Sequence, residues 1–222
     1  MKYRGSKGNT ITKEEILILN DQLRELGFKI PELWDENFLS SLPREKLEPE
    51  EETTVISSEQ LAELRERLLS IEKLPSQQKG FEFERFLNNL FNTFGLEPRS
   101  SFRLQGEQID GSIELENHTY LIEAKFEAKP IGQNDLLIFR GKVESKATWS
   151  RGIFISISDF TKDGLTAFSR GKPTNLITIN GQDLFFIVDG QISLDQAIRL
   201  KARRAAETGE VMVPVYELLL EK

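Results

Sequence analysis

At 222 residues with 38% hydrophobic side chains, the chain can bury one large domain, or a core domain with a smaller appendage. The absence of cysteine excludes disulfides and thiolate metal sites, so a metal ion would be bound by oxygen atoms or by the single histidine, His118. Oxygen ligands favour a hard ion such as Mg²⁺. A net charge of -7 argues against a protein that coats nucleic acid through an overall positive surface.

The sequence has no apolar stretch long enough to cross a membrane, and no apolar segment follows the basic residues near its start. We therefore expect a cytoplasmic protein without a membrane partner. Most of the acidic excess lies outside residues 76–175, where basic and acidic side chains are equal in number. A local phosphate-binding face is thus compatible with the negative total.

The first third of the chain is predicted to be helical. Apolar residues at helical spacing predict a helix over residues 12–27 with Thr12 as its N-cap. The acidic run at residues 48–52 indicates an exposed linker. A second helix over residues 57–74 carries a leucine stripe, which packs either on its own domain or against a second copy. We interpret residues 1–75 as a helical extension for recognition, regulation or assembly.

Helices and strands alternate through the rest of the chain. Helical spacing covers residues 81–94, 133–146 and 161–170, and strand character covers residues 108–115, 119–126, 152–158 and 175–179. This alternation predicts an α/β fold with a mixed sheet and helices on both of its faces. Two helices, over residues 181–188 and 193–207, are predicted to follow.

The strand over residues 119–126 carries two charges on one face. Successive side chains of a strand point to opposite faces, so Glu123 and Lys125 point the same way as Leu121. Charged residues are seldom placed in a buried strand unless they are paired or bind a metal.

The preceding strand carries Asp110, and the short link between the strands suggests a hairpin. If Glu116 and Asn117 form a two-residue turn, Asp110 lies opposite Glu123. If the turn is one residue later, Asp110 lies opposite Lys125. Either register places the three side chains on one face, whereas a three-residue loop would shift the facing unless a bulge restored it.

Two carboxylates facing each other repel unless a positive charge lies between them. Asp110, Glu123, the carbonyl of Ala124 and water molecules would suit octahedral Mg²⁺. Lys125 could then orient the attacking water and stabilise charge on a phosphate, as phosphodiester hydrolysis requires. The alternative is an Asp110–Lys125 salt bridge with Glu123 exposed to solvent.

Several short motifs carry a resemblance to a known family. They are Gly80-Phe81-Glu82-Phe83-Glu84 with Leu87, Leu90-Phe91 and Phe94-Gly95, then Gln108-Ile109-Asp110-Gly111, Ile122-Glu123-Ala124-Lys125 and Gly152-Ile153-Phe154-Ile155. Together they resemble the Mrr-type restriction endonuclease domain of the PD-(D/E)xK superfamily, over residues 76–190. The sequence departs from that family in two ways: Glu123 stands where members often carry Gln, and the loop at residues 105–108 has fewer glycines.

The resemblance implies a restriction-endonuclease-like αβββαβ core, dependence on Mg²⁺ with Mn²⁺ as its substitute, and cleavage of DNA. It maps Asp110 and Glu123 onto the metal ligands, and Lys125 and Glu84 onto further positions of the active site. It also divides the chain into an N-terminal extension over residues 1–75, a nuclease domain over residues 76–190 and a C-terminal helical extension over residues 191–222.

We therefore expect a Mg²⁺-dependent endonuclease that acts on DNA in restriction or phage defence. Gln133 and Asn134, at the start of a predicted helix, are candidate substrate contacts, with helix capping by Asn134 as the alternative. Two other functions stay open: an inactive nucleic-acid-binding or assembly subunit, and a repair or junction-resolving nuclease. Candidate partners besides DNA are a second copy of the chain and a protein bound through residues 1–75.

Overall fold

A computed structural model describes residues 11–25, 27–43, 56–104, 107–169 and 174–220. The chain divides into two compact units, Met1–Val55 and Ile56–Lys222. Within the described ranges, no helix is long and apolar enough to cross a membrane. All strands of these ranges belong to the larger unit.

The smaller unit is helical. It contains helix α1 (Lys13–Glu25), a 3-10 helix (Pro31–Trp34) and helix α2 (Glu36–Ser41). The N-cap predicted for α1 is confirmed, because the hydroxyl of Thr12 accepts a hydrogen bond from the amide of Glu15 at 3.2 Å. The Glu15 carboxylate in turn accepts one from the Thr12 amide at 3.0 Å. The acidic linker predicted at residues 48–52 lies outside the described residues.

The larger unit begins with two helices, α3 (Ser58–Ile71) and α4 (Ser76–Thr93). The leucine stripe of α3 is buried in its own unit, since Leu64, Leu68 and Ile71 pack in the core beside α4. This matches the own-domain alternative of the sequence analysis. The predicted helix began just after Gly80, whereas α4 starts five residues earlier, at Ser76, and runs through Gly80. Packing of the helix against the core thus outweighs the low helix propensity of glycine.

The sheet has five strands in sequence order: β1 (Arg99–Leu104), β2 (Glu107–Leu115), β3 (His118–Lys125), β4 (Arg151–Ser156) and β5 (Leu176–Ile179). The first three are antiparallel neighbours, whereas β3, β4 and β5 run parallel. The predicted mixed sheet is confirmed. Strand β1 was not located from the sequence, because it lies at the edge of the sheet and has few apolar side chains.

Helices cover both faces of this sheet, as predicted for the α/β class. Helices α5 (Gln133–Glu144) and α6 (Lys162–Ser169) pack on one face around Phe139 and Phe154. The opposite face packs against α3, α4, α7 (Gly181–Val188), α8 (Leu194–Thr208) and α9 (Val215–Leu220).

A buried ion pair holds the C-terminal segment in place. The Nζ atom of Lys201 lies 2.7 Å from the Asp183 carboxylate, and both side chains are 1% exposed. Lys201 also donates to the carbonyl of Val213 at 2.5 Å, and the amide of Val215 donates to Asp183 at 2.7 Å. These bonds satisfy both buried charges and fasten the start of α9, whose own bounds within the predicted C-terminal helical extension were not located from the sequence.

Candidate active site

The turn between β2 and β3 decides which of the predicted registers occurs. Leu115 pairs with His118, so Glu116 and Asn117 form a two-residue turn. Both have positive φ, 50° and 62°, as the tight turns that match the twist of a hairpin require. Further along, the pairing ends with Gly111 and Ile122, so Asp110 and Glu123 are the next residues on their strands.

Asp110 lies where the recorded β2–β3 pairing ends. Its carboxylate accepts a hydrogen bond from the backbone amide of Ala124 at 2.9 Å. Asp110 also lines a small cavity between α4 and the hairpin, together with Glu84 and Arg99. The amide of Ala124 therefore fixes the orientation of Asp110, a role of this residue that the sequence analysis did not anticipate.

Glu123 lies on the α5 face of β3, the face to which alternation assigned it. Its side chain is 12% exposed, and its Oε2 atom lies 2.6 Å from the Nζ atom of Lys142 on α5. Burial raises the pKa of Glu123, the hydrogen bond from Lys142 lowers it, and the negative charge of Asp110 raises it again. Lys142 was not predicted as a site residue. No sequence spacing could have identified it, because its approach to Glu123 depends on how α5 packs.

Lys125 follows on the same face at the end of β3. It is half-buried, and its backbone pairs with Ser156 in the parallel ladder to β4. Its positive charge lowers the pKa of Glu123, which places the ammonium group within electrostatic reach of that carboxylate.

Glu84 approaches the hairpin from α4. It is half-buried, and its pKa is raised by burial first, then by the negative charges of Asp110 and Glu123. Three carboxyl groups, each from a different element, thus interact through their charges. The structure brings Asp110 and Glu84 together at one cavity, whereas Glu123 is engaged by Lys142.

The donor chemistry of these carboxylates suits a hard divalent cation. They are oxygen ligands, and the negative charge of Asp110 raises the pKa of both Glu84 and Glu123, so a bound cation would relieve their repulsion. Within the described ranges, however, no three acidic or histidine side chains are close enough to form a metal site. The ion pair with Lys142 holds Glu123 away from such a set. His118, the other candidate ligand, contacts Arg151 at 3.2 Å instead.

Gln133 and Asn134 are exposed at the start of α5. The N-cap of this helix is Gly132, which makes no side-chain capping bond, so Asn134 does not have the capping role considered as an alternative. Their assignment as substrate contacts stays a prediction.

Residues 76–188, half of the chain, match the family model of the Mrr catalytic domain, described as a restriction endonuclease. No curated protein shows significant sequence similarity to the chain.

Three solved structures that match the chain are distant in sequence. The small subunit of the heterodimeric restriction endonuclease R.BspD6I is 17% identical, with 72% of this chain and 87% of that one covered and a TM-score of 0.42. The restriction endonuclease MspJI in complex with a 27-mer oligonucleotide is 13% identical, with 84% and 46% covered and a TM-score of 0.37. The protein of unknown function AF1548 is 17% identical, with 43% and 55% covered and a TM-score of 0.34. The chain thus spans about half the length of the last two.

Proposed function

The chain belongs to the Mrr-type restriction endonuclease family, and from this premise we propose that its nuclease domain hydrolyses phosphodiester bonds of DNA with Mg²⁺. The proposed role is restriction or phage defence. The observation that supports the chemistry is that Asp110 and Glu84 line one cavity, where the charge of Glu84 interacts with both Asp110 and Glu123.

Asp110 and Glu123 would hold the ion, and Glu84 would contribute a third carboxylate from α4. When bound, Mg²⁺ supplies the positive charge that promotes ionisation of water and offsets charge on the phosphate. Mn²⁺ is the expected substitute because it accepts the same oxygen ligands. In the structure Lys142 engages one oxygen of Glu123, Oε2, at 2.6 Å, so the ion would bind the other oxygen or compete with this ion pair.

Different residues of the chain would then have separate roles in hydrolysis. The Ala124 amide keeps Asp110 oriented, so this ligand needs no reordering when substrate arrives. Lys125 donates a hydrogen bond to the attacking water or to a phosphate oxygen. The water oxygen bonds to phosphorus, one ester P–O bond breaks, and the departing oxygen takes up a proton. Because one site cuts one strand, a break in a duplex requires two protomers or two successive events.

One observation favours a second candidate, a DNA-binding or assembly subunit that does not cut. In the structure the ammonium group of Lys142 offsets the charge of Glu123. If this ion pair outcompetes Mg²⁺ under all conditions, only Asp110 and Glu84 are left to bind the ion.

The test uses the full chain with plasmid DNA, single-stranded DNA and RNA, each with Mg²⁺, Mn²⁺ or EDTA. We expect cleavage of DNA that requires the metal, and a loss of at least about a hundredfold in rate in both Lys125→Ala and Asp110→Asn. Lys129→Ala, an exposed lysine shortly after β3, is the matched control and should cut normally.

Cleavage that persists in both variants would contradict the assigned site. If no substrate is cut and calorimetry detects no Mg²⁺ binding, the non-cutting subunit is the supported function.

A further inference from the structure

A second polar groove lies along α4, beside the proposed metal site. We call it the α4 groove and define it by Arg67, Phe81, Arg85, Asn88, Asn92 and Ser100, which line it together with Glu84 and Asp110. The last two residues also line the small cavity at the hairpin. The groove therefore leads directly to the acidic residues of the candidate active site.

The α4 groove contains an exposed aromatic ring with a cation on it. The side chain of Phe81 is 64% exposed, whereas Phe83 and Phe86 on the same helix are fully buried. The Arg85 guanidinium lies 5.8 Å from the centre of the Phe81 ring and 2.7 Å from the Glu82 carboxylate. The Phe81 ring is thus accessible to a ligand, whereas the other two phenylalanines belong to the core.

Amide side chains make up much of the remaining surface. Asn88, Asn89 and Asn92 all face the groove, although asparagine is a poor helix former. Asn92 donates to Asn88 at 3.0 Å, and the Asn88 amide lies 3.5 Å from the hydroxyl of Ser100. Such amides offer both donors and acceptors to phosphate oxygens and base edges.

We propose that the α4 groove binds an unpaired strand of DNA, with one base stacked on Phe81 and the neighbouring phosphates on Arg67 and Arg85. This proposal rests on the proposed endonuclease function, because the strand would lead towards Asp110. A single strand is favoured over a duplex because the faces of paired bases are covered by their neighbours in the stack. An exposed ring beside arginines can therefore stack on the bases of a single strand, whereas a duplex offers only its end pairs.

The experiment measures binding of the full chain to fluorescein-labelled oligothymidylate of about 15 nucleotides by fluorescence anisotropy. EDTA is present throughout, so no cleavage occurs, and repulsion from Glu84 and Asp110 affects all variants alike. We expect Phe81→Ala to weaken binding about five- to a hundredfold, and Phe81→Tyr to preserve it. Trp149→Ala is the matched control, since Trp149 is 76% exposed and does not line the α4 groove.

A blunt duplex of the same length distinguishes the two forms of DNA. Its affinity should change by less than about twofold in Phe81→Ala, because only its two end pairs offer a face for stacking. Oligothymidylate binding that is unaffected by Phe81→Ala, or equal losses for strand and duplex, would overturn the proposal. Binding that depends on Phe81 without any Mg²⁺-dependent cleavage would leave the groove assigned and refute the endonuclease function alone.

Discussion

At the scale of one residue, Glu84 shows that the carboxylates of the candidate site repel one another. Its carboxyl group is half-buried on α4 and faces the negative charges of Asp110 and Glu123, so its pKa lies above the ordinary value of 4.5. At pH values between 4.5 and the raised pKa of Glu84, the folded protein keeps a proton that the unfolded chain has released. Stability therefore falls as the pH rises through this window.

Glu84→Gln removes this pH-dependent loss. Relative to the unmodified chain, the variant should gain free energy of unfolding as the pH rises from about 4 through the window, and the gain should then level off. Urea unfolding in EDTA at a series of pH values measures the difference. Glu63→Gln, an exposed glutamate on α3, is the control and should show no such trend. A difference between Glu84→Gln and the unmodified chain that is constant with pH would contradict the argument.

At the scale of elements, the position of α5 relative to the sheet determines which group meets Glu123. That position depends on Gly152 in β4, where an added Cβ would lie 2.3 Å from Leu176, 2.8 Å from Val143 and 2.9 Å from Phe139. A side chain at residue 152 would force α5 or β5 to move.

Gly152→Ala should therefore destabilise the protein by about 1–3 kcal/mol through overpacking. Gly141→Ala is the matched control on α5, because a Cβ there meets nothing within 4 Å. Replacing this helical glycine should instead stabilise the protein by about 0.5–1 kcal/mol. Urea unfolding of the two variants measures both values, and a loss of stability of the same size in both would mean that crowding at residue 152 is not the cause.

At the scale of the whole molecule, the two compact units bear on the question of where the catalytic part of the chain begins. The sequence analysis placed the boundary at residue 75, and that functional division stays a prediction. The boundary between the two compact units lies between Val55 and Ile56. Helix α3 belongs to the larger unit, because it buries Leu64, Leu68 and Ile71 in the core of that unit.

Deletion of residues 1–55 should leave a folded protein that unfolds cooperatively near the Tm of the full chain. Deletion of residues 1–75 also removes α3 and exposes the part of the core that it covers. Each buried leucine or isoleucine contributes about 1.5–3 kcal/mol, so the longer deletion should lower the Tm substantially or prevent folding. Circular dichroism during heating measures both; equal melting of the two fragments would show that α3 is dispensable.

The sequence by itself determined the local features of this protein. Side-chain periods of 3.6 and 2 predicted α4, α5 and the strands that carry the site, and they assigned Glu123 to the face that it occupies. These predictions succeeded because periodicity depends only on neighbouring residues. The alternation of helices and strands predicted the mixed sheet, and the family resemblance extended the prediction to the restriction endonuclease family.

Only the tertiary structure decided which distant residues meet. The positive φ angles of Glu116 and Asn117 selected one hairpin register from the alternatives that the sequence left open. Lys142 reaches Glu123 from 19 residues away, and the amide of Ala124 binds Asp110 from 14 residues away. Such contacts depend on how elements pack and where a strand pairing ends. The carboxylates proposed to bind metal were therefore identified from the sequence. Lys142 and the Ala124 amide, which contact two of them, were not.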